Sequence, residues 1–514
     1  MSHSKKLIKP TLLIGFFTLL SRILGFIRDI LFAKFFGASG TMEAFLVAFR
    51  IPNFIRRLFT EGSIAQALIP ELNKRSISQK RLNAFTAQLI GILGLALFLL
   101  TIIGIVFSTI LVLIFAPGFV ESPEKFTLAN NLLKIMLPFV FFMSITSIFA
   151  SVLQTFQRFS IPAITPSILN IAIITGLYIS YLFHTPIYAV AWSVTLAGML
   201  QCLIQIPFVL RLGISLKPVF RRPSKKTKRF FKSIAPAIFG ASIVQISLLL
   251  DTIFASFLVT GSLSWLYYPD RVNQFPLGIF GIALATVLLP HLSKKMSVSE
   301  YNNILNWGIK LALLLTIPAA SALCVLSKPI IITLFYHGEF SFFDVTQSQR
   351  AMIAFAIGLI SFIFIKIFIS ALYAKQNTTS AMKVGLLCIL VNIISNLILI
   401  SLLKSHALGY LALAISTSLT ATINALLLLW VLCKKHHFSL HRSQVLLILR
   451  ILIASMIMCI VLIFIQGEIN FWLSHSTLFK LLYLFAIIFI GACIYFLSLI
   501  ILGIKVKDFS IAHS

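Results

Sequence analysis

Twelve ionisable side chains interrupt stretches that are otherwise apolar, and they are the residues with chemistry to offer: Asp29, Glu43, Glu61, Asp251, Asp270, Arg22, Arg28, Arg50, Arg56, Arg57, Arg271 and Lys366. A guanidinium group presents a planar fork of donors, stays protonated at any cellular pH and matches phosphate oxygens two at a time. Neighbouring charges can cancel. Arg57 and Glu61 are one helical turn apart, Arg28 adjoins Asp29, and Asp270 adjoins Arg271. Cancellation cannot cover the whole set, because the segments around them hold six arginines against four acids. The surplus predicts a net-positive, hydrated cavity suited to a phosphate-bearing ligand, since charge facing lipid is untenable. Lys366 lies near a span end and is expected to snorkel.

The elements that must position these charges are membrane helices. Of 514 residues 59% are hydrophobic and 11% charged, with a mean hydropathy of +1.03; soluble domains carry about 25% charge. A water-soluble enzyme, a disordered chain and a nucleic-acid-binding domain are excluded on that ground. Fourteen apolar runs reach spanning length, among them 10–36, 42–70, 83–115, 127–156, 263–292 and 305–335. The first follows Lys5, Lys6 and Lys9 as a signal peptide would, but lacks a small-residue cleavage site, so it is expected to remain as a span. Alternate loops carry 26 Lys and Arg on one side and five on the other, which places both termini in the cytoplasm and accounts for most of the net charge of +29. Arg22 then lies roughly 18 Å into its span and Arg271 roughly 13 Å into its own.

The chain also repeats itself. Asp29 to Phe35 and Asp251 to Phe257 share the pattern D-x-x-F-A-x-F, 222 residues apart, and Ala65 to Leu72 matches Ala285 to Leu292 at an offset of 220. Six spans separate the copies, so they have the same orientation, as in a parallel repeat. The expected fold is an all-α polytopic membrane protein of fourteen helices, with two six-helix lobes and two extra C-terminal helices, both termini inside. Residues 1–212 form the N-lobe, 213–230 a basic cytoplasmic linker read as a solvated tether, 231–434 the C-lobe, and 435–514 the last two helices. Arg50 and Arg271 fall on equivalent positions and should face one cavity from opposite lobes. Gly25, Pro52 and Pro276 place a helix breaker close to Arg22, Arg50 and Arg271.

Enzyme chemistry has no foothold: the sequence contains no Walker loop, no HExxH and no nucleophile elbow. Six cysteines lie in apolar runs without metal-ligand or disulfide spacing, and His436, His437 and His441 fall in a cytoplasmic loop. Two lobes about a midplane site instead suit a secondary transporter.

The run SRILGFIRD from Ser21 to Asp29, the run EAFLVAFRIPNFIRRLFTEG from Glu43 to Gly62, and the segment from Tyr268 to Pro290 resemble the MurJ (MviN) lipid II flippase family of the MOP exporter superfamily. The resemblance implies movement of undecaprenyl-pyrophosphoryl disaccharide-pentapeptide from the inner to the outer leaflet of a bacterial cytoplasmic membrane, for peptidoglycan synthesis. It further implies that Arg22, Arg28, Arg56 and Arg271 bind the pyrophosphate and head group, with Glu43 and Arg50 beside them. Gln274 stands where the family often has an acid. Asp251, Asn392, Asn396 and Thr417 are similar to a sodium site of some members, with Asn396 in place of a carboxylate; beyond sodium and the membrane potential no cofactor is implied. Lipid II and membrane lipids are the implied partners, with cell-wall synthesis proteins a further class and no nucleic acid. Residues 445–466 and 479–504 could line an apolar groove for the polyprenyl tail, which a wet cationic cavity would exclude. The rivals are a MATE-type exporter, which calls for an acidic cavity, an exporter of another polyprenyl-pyrophosphate glycan, and a non-transporting membrane scaffold.

Overall fold

A computed structural model describes residues 2–59, 68, 79–220, 224–294, 296–403, 408–439 and 443–505; side chains are described there except for 2–12, 58–59, 79–81, 225–226, 233–244 and 443–444. Within them the secondary structure is helical throughout. The chain divides into two compact units, Met1–Thr260 and Gly261–Ser514.

The first unit contains α1 (Ser2–Phe36), α2 (Gly40–Phe59), α3 (Gln79–Val106), α4 (Ser108–Phe115), α5 (Pro123–Met136), α6 (Pro138–Thr155), α7 (Ser160–Tyr178), α8 (Ile187–Leu210) and α9 (Lys225–Ser256). The second contains α10 (Ser262–Pro276), a π-helical turn at Leu277–Gly281, α11 (Ile282–Leu292), α12 (Val298–Val325), α13 (Ser327–Phe335), α14 (Phe342–Ala374), α15 (Thr378–Leu403), α16 (Gly409–His436), α17 (Ser443–Ile465), α18 (Ile469–Ser474) and α19 (Thr477–Ile501). Eleven helical segments among the described residues are long and apolar enough to cross a membrane. The helix α2 is not among them, because Glu43, Arg50, Arg56 and Arg57 interrupt its apolar run. From α9 the apolar stretch Gln245–Ser256 is described.

Three runs read as unbroken from sequence are broken. The run 83–115 divides at Phe107 and the run 305–335 at Leu326. In each, a 28-residue helix precedes the break, about 42 Å at 1.5 Å per residue and longer than the ~30 Å hydrocarbon core, so the short helix beyond it is no longer needed for crossing. The run 127–156 divides at Leu137, before Pro138, which cannot donate to the preceding turn. Two expected breakers do not break their helices: Gly25 and Pro52 lie inside continuous α1 and α2, whereas Pro276 is followed by the π-helical turn.

Helix boundaries carry the repeat seen in the sequence. α3 begins at Gln79 and α12 at Val298, α4 at Ser108 and α13 at Ser327, α5 at Pro123 and α14 at Phe342, each pair 219 residues apart. One close contact recurs as well. In the first unit a Cβ on Gly198 of α8 would meet Phe139 of α6 at 2.8 Å; in the second a Cβ on Gly358 of α14 would meet Ser418 of α16 at 2.5 Å. These are equivalent positions, with the glycine on opposite helices. Small residues let membrane helices approach where the apolar effect cannot drive them together.

Packing and repeat membership part company at α9. By register it is the counterpart of α1, yet it lies in the first unit. Four attachments along its length hold it there. Ser224 N–H and Thr227 Oγ1 both donate to Gln88 Oε1, at 3.2 and 2.7 Å. Arg50 donates to Leu248 O at 3.3 Å and to Thr252 Oγ1. Gly118 N–H donates to Ser256 Oγ at 3.0 Å, and Lys125 reaches Thr260 Oγ1 at 2.9 Å.

The basic linker is no free tether. Asn83 Nδ2 donates to Gly213 O at 2.8 Å and Val219 N–H to Ala87 O at 3.0 Å, while Ile214 and Phe230 are buried in a cluster with Phe85, Leu89 and Val209. A Cβ on Gly91 would meet Val219 O at 2.6 Å. The chain therefore passes directly over α3, and the absent side chain makes room for it.

Candidate functional site

The arginines do not share one environment. On α1, Arg28 Nε and Nη2 both donate to Asp29 Oδ1, at 3.0 and 2.7 Å, and Nη1 donates to Asn170 Oδ1 on α7 at 2.9 Å. Asn170 Nδ2 returns a bond to Ser21 O at 2.9 Å. Asn170 packs beside Gly25, 3.5 Å from where a Cβ would be, an ordinary contact distance. Side-chain exposures of 12% for Arg28 and 3% for Asp29 make this a mostly dehydrated pair. Such a pair is strongly destabilised if one partner is removed. Arg28 is thus held by a carboxylate and an amide, in line with the cancellation expected for adjacent charges.

Arg22 differs. It is exposed and makes no hydrogen bond or ion pair with any described residue. It does not belong to the lipid-facing stripe of α1, where Phe16, Leu19, Ile23 and Ile27 are 62, 57, 46 and 42% exposed. At 3.6 residues per turn it lies about 100° round the helix from the centre of that stripe, in line with Thr18, Asp29 and Ala33. Asp29 and Ala33 are buried. A guanidinium without a partner among the described residues therefore lies on a line of α1 that is exposed at Thr18 and buried at Asp29 and Ala33, nearly two turns from the Arg28–Asp29 pair.

The second helix distributes its charges to structural partners. Arg56 Nε donates to Asn53 Oδ1 on its own helix at 2.9 Å, and Arg50 is tied to α9. Glu43 is buried, with its Oε2 2.8 Å from Lys125 Nζ on α5. The same ammonium lies over the ring of Phe119, 4.9 Å from its centroid. Glu43, expected beside the cavity arginines, is thereby bound to Lys125. The Glu61 partner expected for Arg57 lies outside the described residues.

In the second unit, Arg271 Nη1 donates to Gln274 Oε1 at 3.2 Å and the guanidinium lies over Tyr267 at 4.6 Å. Gln274 Nε2 in turn donates to Asp270 Oδ2 at 2.5 Å. The glutamine that replaces an acid therefore bridges Asp270 and Arg271, a role that needs a donor and an acceptor on one side chain. The N-terminal ends of α10 and α14 meet at Asp344, whose Oδ1 accepts from Trp265 Nε1 at 2.7 Å.

The candidate sodium ligands split between the units, Asp251 on α9 and the others on α15 and α16. Asn396 Nδ2 donates to Asn392 Oδ1 at 3.3 Å, and Thr417 Oγ1 donates to Leu413 O at 2.8 Å. Within the second unit the three residues are neutral, and the Asn392 side-chain oxygen is engaged by Asn396. Among the described residues no group of three His, Cys, Asp or Glu is placed to hold a metal ion.

Sequence reasoning passed over two residues of this network, Asn170 and Lys125. The signal for Asn170 was present, as a lone amide midway along an apolar run, where a polar group has to find a partner.

Comparison with known proteins agrees with this architecture. A family model described as lipid II flippase MurJ matches residues 32–484. A protein of Buchnera aphidicola (subsp. Acyrthosiphon pisum) called probable lipid II flippase MurJ is 39% identical, covering 99% of this chain and 100% of its own. The protein of that name from Haemophilus influenzae is 36% identical over 95% and 98%. A solved structure of lipid II flippase MurJ in an inward closed conformation superposes with a TM-score of 0.80 at 28% identity, covering 95% of this chain and 98% of that one. A MATE family multidrug transporter of the MOP superfamily, inward-facing, shares the fold with a TM-score of 0.64 at 13% identity, over 80% and 93%. On this evidence the chain is a multi-pass membrane protein that belongs to the lipid II flippase MurJ family of transporters.

Proposed function

We propose that this protein moves lipid II, a polyprenyl diphosphate carrying a disaccharide-pentapeptide, from the inner to the outer leaflet of the bacterial inner membrane by alternating access. The observation that carries the proposal is Arg22, an exposed guanidinium off the lipid-facing stripe of α1 that has no partner among the described residues. Its neighbour Arg28 is preset by Asp29 and Asn170 and stays mostly dehydrated. In this proposal Arg22 takes the diphosphate directly, while Arg28, Arg56 and Arg271 add positive potential from positions fixed by Asp29, Asn53 and Gln274. Glu43 and Arg50 act indirectly, by fastening α2 to α5 and to α9. No bond is made or broken. The work is done by binding the head group in one conformation and releasing it in another.

The same proposal carries a fourteen-helix chain with both termini inside, lobes at 1–212 and 231–434 joined by the linker at 213–230, and a tail groove within 435–514. The lipid-like exposure of α17 and α19 supports the groove: Phe464 is 81% and Phe485 71% exposed. Outward movement of an anion is also favoured by an inside-negative potential, at about 2.3 kcal/mol per charge per 100 mV. We route no step through sodium.

Flipping of fluorescent lipid II in proteoliposomes tests the assignment. Wild type should transport, Arg22→Ala and Arg28→Ala should not, and an imposed potential should change the rate. Equal flipping by wild type and Arg22→Ala would overturn the role of the free guanidinium. A scaffold would support growth of a flippase-depleted bacterium with either variant.

A further inference from the structure

Four helices of the second unit are tied together at one end. Tyr301 Oη of α12 donates to Ala371 O of α14 at 3.2 Å, and Asn302 Nδ2 and Asn306 Nδ2 of α12 donate to His437 O and Ser439 O, beyond α16, at 3.2 and 3.0 Å. Asn377, between α14 and α15, places its Nδ2 3.0 Å from His436 Nε2 at the end of α16, and its Oδ1 accepts from Ser380 N–H at 3.3 Å. With Oδ1 taken by the backbone, the amide faces the ring as a donor. The ring therefore carries its proton on Nδ1, which has no partner among the described residues.

Four ammonium groups lie at this end. Lys435 Nζ donates to Ser380 Oγ at 3.0 Å, Lys375 lies over the ring of Tyr301 at 4.3 Å, and Lys434 over that of Trp430 at 4.8 Å. Lys383 follows Ser380 by one helical turn, which places it within a turn of the Lys435 contact. Lys375 and Lys435 both act electrostatically on His436. None of the four lysines makes an ion pair among the described residues. The described carboxylate at this end, Glu300, is taken up in the capping box of α12, where it accepts from Ser297 N–H at 2.8 Å and Oγ at 3.1 Å. Like charges gathered without a counter-ion repel one another, and a bound anion relieves that repulsion.

The surroundings choose the anion. Lys383 heads the exposed stripe of α15, formed by Leu387, Leu390, Ile394 and Leu397, and Lys434 heads that of α16, formed by Trp430, Leu426 and Leu419. Exposed apolar stripes on spanning helices face lipid, and a tryptophan at the end of one marks the headgroup level. Cations at that depth, with acyl-chain surface directly beside them, suit an acidic phospholipid. The start of α15 is capped by Asn377, so side chains and not free amides make the site. We infer that Lys435, Lys383, Lys375 and His436 bind the phosphate of an acidic phospholipid, at the end of the second unit where α14 and α16 finish and α15 begins. In the orientation proposed above this is the inner leaflet; neither the site nor its test depends on the transport reading.

Full-length protein in dodecyl maltoside, titrated with phosphatidylglycerol and read by native mass spectrometry, tests this. The double variant Lys383→Gln, Lys435→Gln should weaken the tightest-bound phosphatidylglycerol by at least about tenfold, as the loss of charge-assisted bonds predicts, while Arg at both positions keeps it. Lys294→Gln, which removes an exposed charge of the same sign just beyond α11, should leave binding unchanged. Equal losses in the two cases would mean a diffuse field and overturn the site, as would unchanged binding by the double variant. A second measurement needs no variant: in the wild type, amine acylation of Lys435 relative to Lys294, read by peptide mass, should slow in phosphatidylglycerol nanodiscs compared with phosphatidylcholine nanodiscs. Protection by millimolar inorganic phosphate in phosphatidylcholine nanodiscs, as strong as that by phosphatidylglycerol, would assign the site to free phosphate and overturn the lipid. An equal acylation ratio under all three conditions overturns the inference outright.

Discussion

Glu43 has two incompatible explanations, as a residue that touches substrate or as the counter-ion of Lys125, and one set of variants separates them. Glu43→Gln leaves an ammonium that is 12% exposed, still near Thr260 Oγ1 at 2.9 Å and over Phe119 at 4.9 Å. Breaking a buried pair on one side costs about 3–5 kcal/mol. The two remaining contacts place this case at the lower end, about 3 kcal/mol. For a unit the size of Met1–Thr260 that corresponds to a fall in melting temperature of roughly 6–10 °C. Lys125→Gln should cost a similar amount. The double variant, in which no charge is left buried alone, should regain about 2 kcal/mol over the sum of the two single losses. The assay is a thermal melt of purified protein followed by fluorescence, with lipid II flipping measured below the melting range. If Glu43→Gln melts with wild type and fails to flip, the carboxylate acts on substrate and its role as a counter-ion is refuted. A double variant no better than the sum of the singles would refute the coupling.

Four further outcomes follow from the same geometry. Arg22→Ala should abolish flipping with a melting temperature within about 1 °C of wild type, since Arg22 makes no bond among the described residues. Asn170→Ala removes the acceptor of Arg28 Nη1 and the donor to Ser21 O, and should cost about 1–3 kcal/mol in a chemical or thermal melt. Gly91→Val should displace the linker from α3, seen as faster tryptic cleavage between Lys217 and Arg229, because its Cβ would meet Val219 O at 2.6 Å. Gly358→Leu and Gly198→Leu overpack equivalent contacts in the two units, and each should lower stability by roughly 1–3 kcal/mol in the same melts.

The amino-acid sequence alone determined that the protein lives in lipid, that it repeats itself at an offset of about 220 residues, and that its arginines outnumber the acids in the apolar runs that hold them. Each of these is a property of composition or of order along the chain: lipid solvation is read from apolar run length, the repeat from matched positions, the charge surplus by counting. The family likeness rested on the same kind of evidence, in the runs around Arg22, Arg50 and Arg271. Tertiary structure decided which charges remain free. Asn170 reaches Arg28 across 142 residues of chain and Lys125 reaches Glu43 across 82, distances over which spacing says nothing about contact. It decided too that α9 packs with the first unit although its register belongs to the second copy, and that the linker lies on α3. The physical reason is common to all of these. A polar group in lipid must be satisfied by whichever partner the packing brings within about 3 Å, and that choice is made by helices meeting in space.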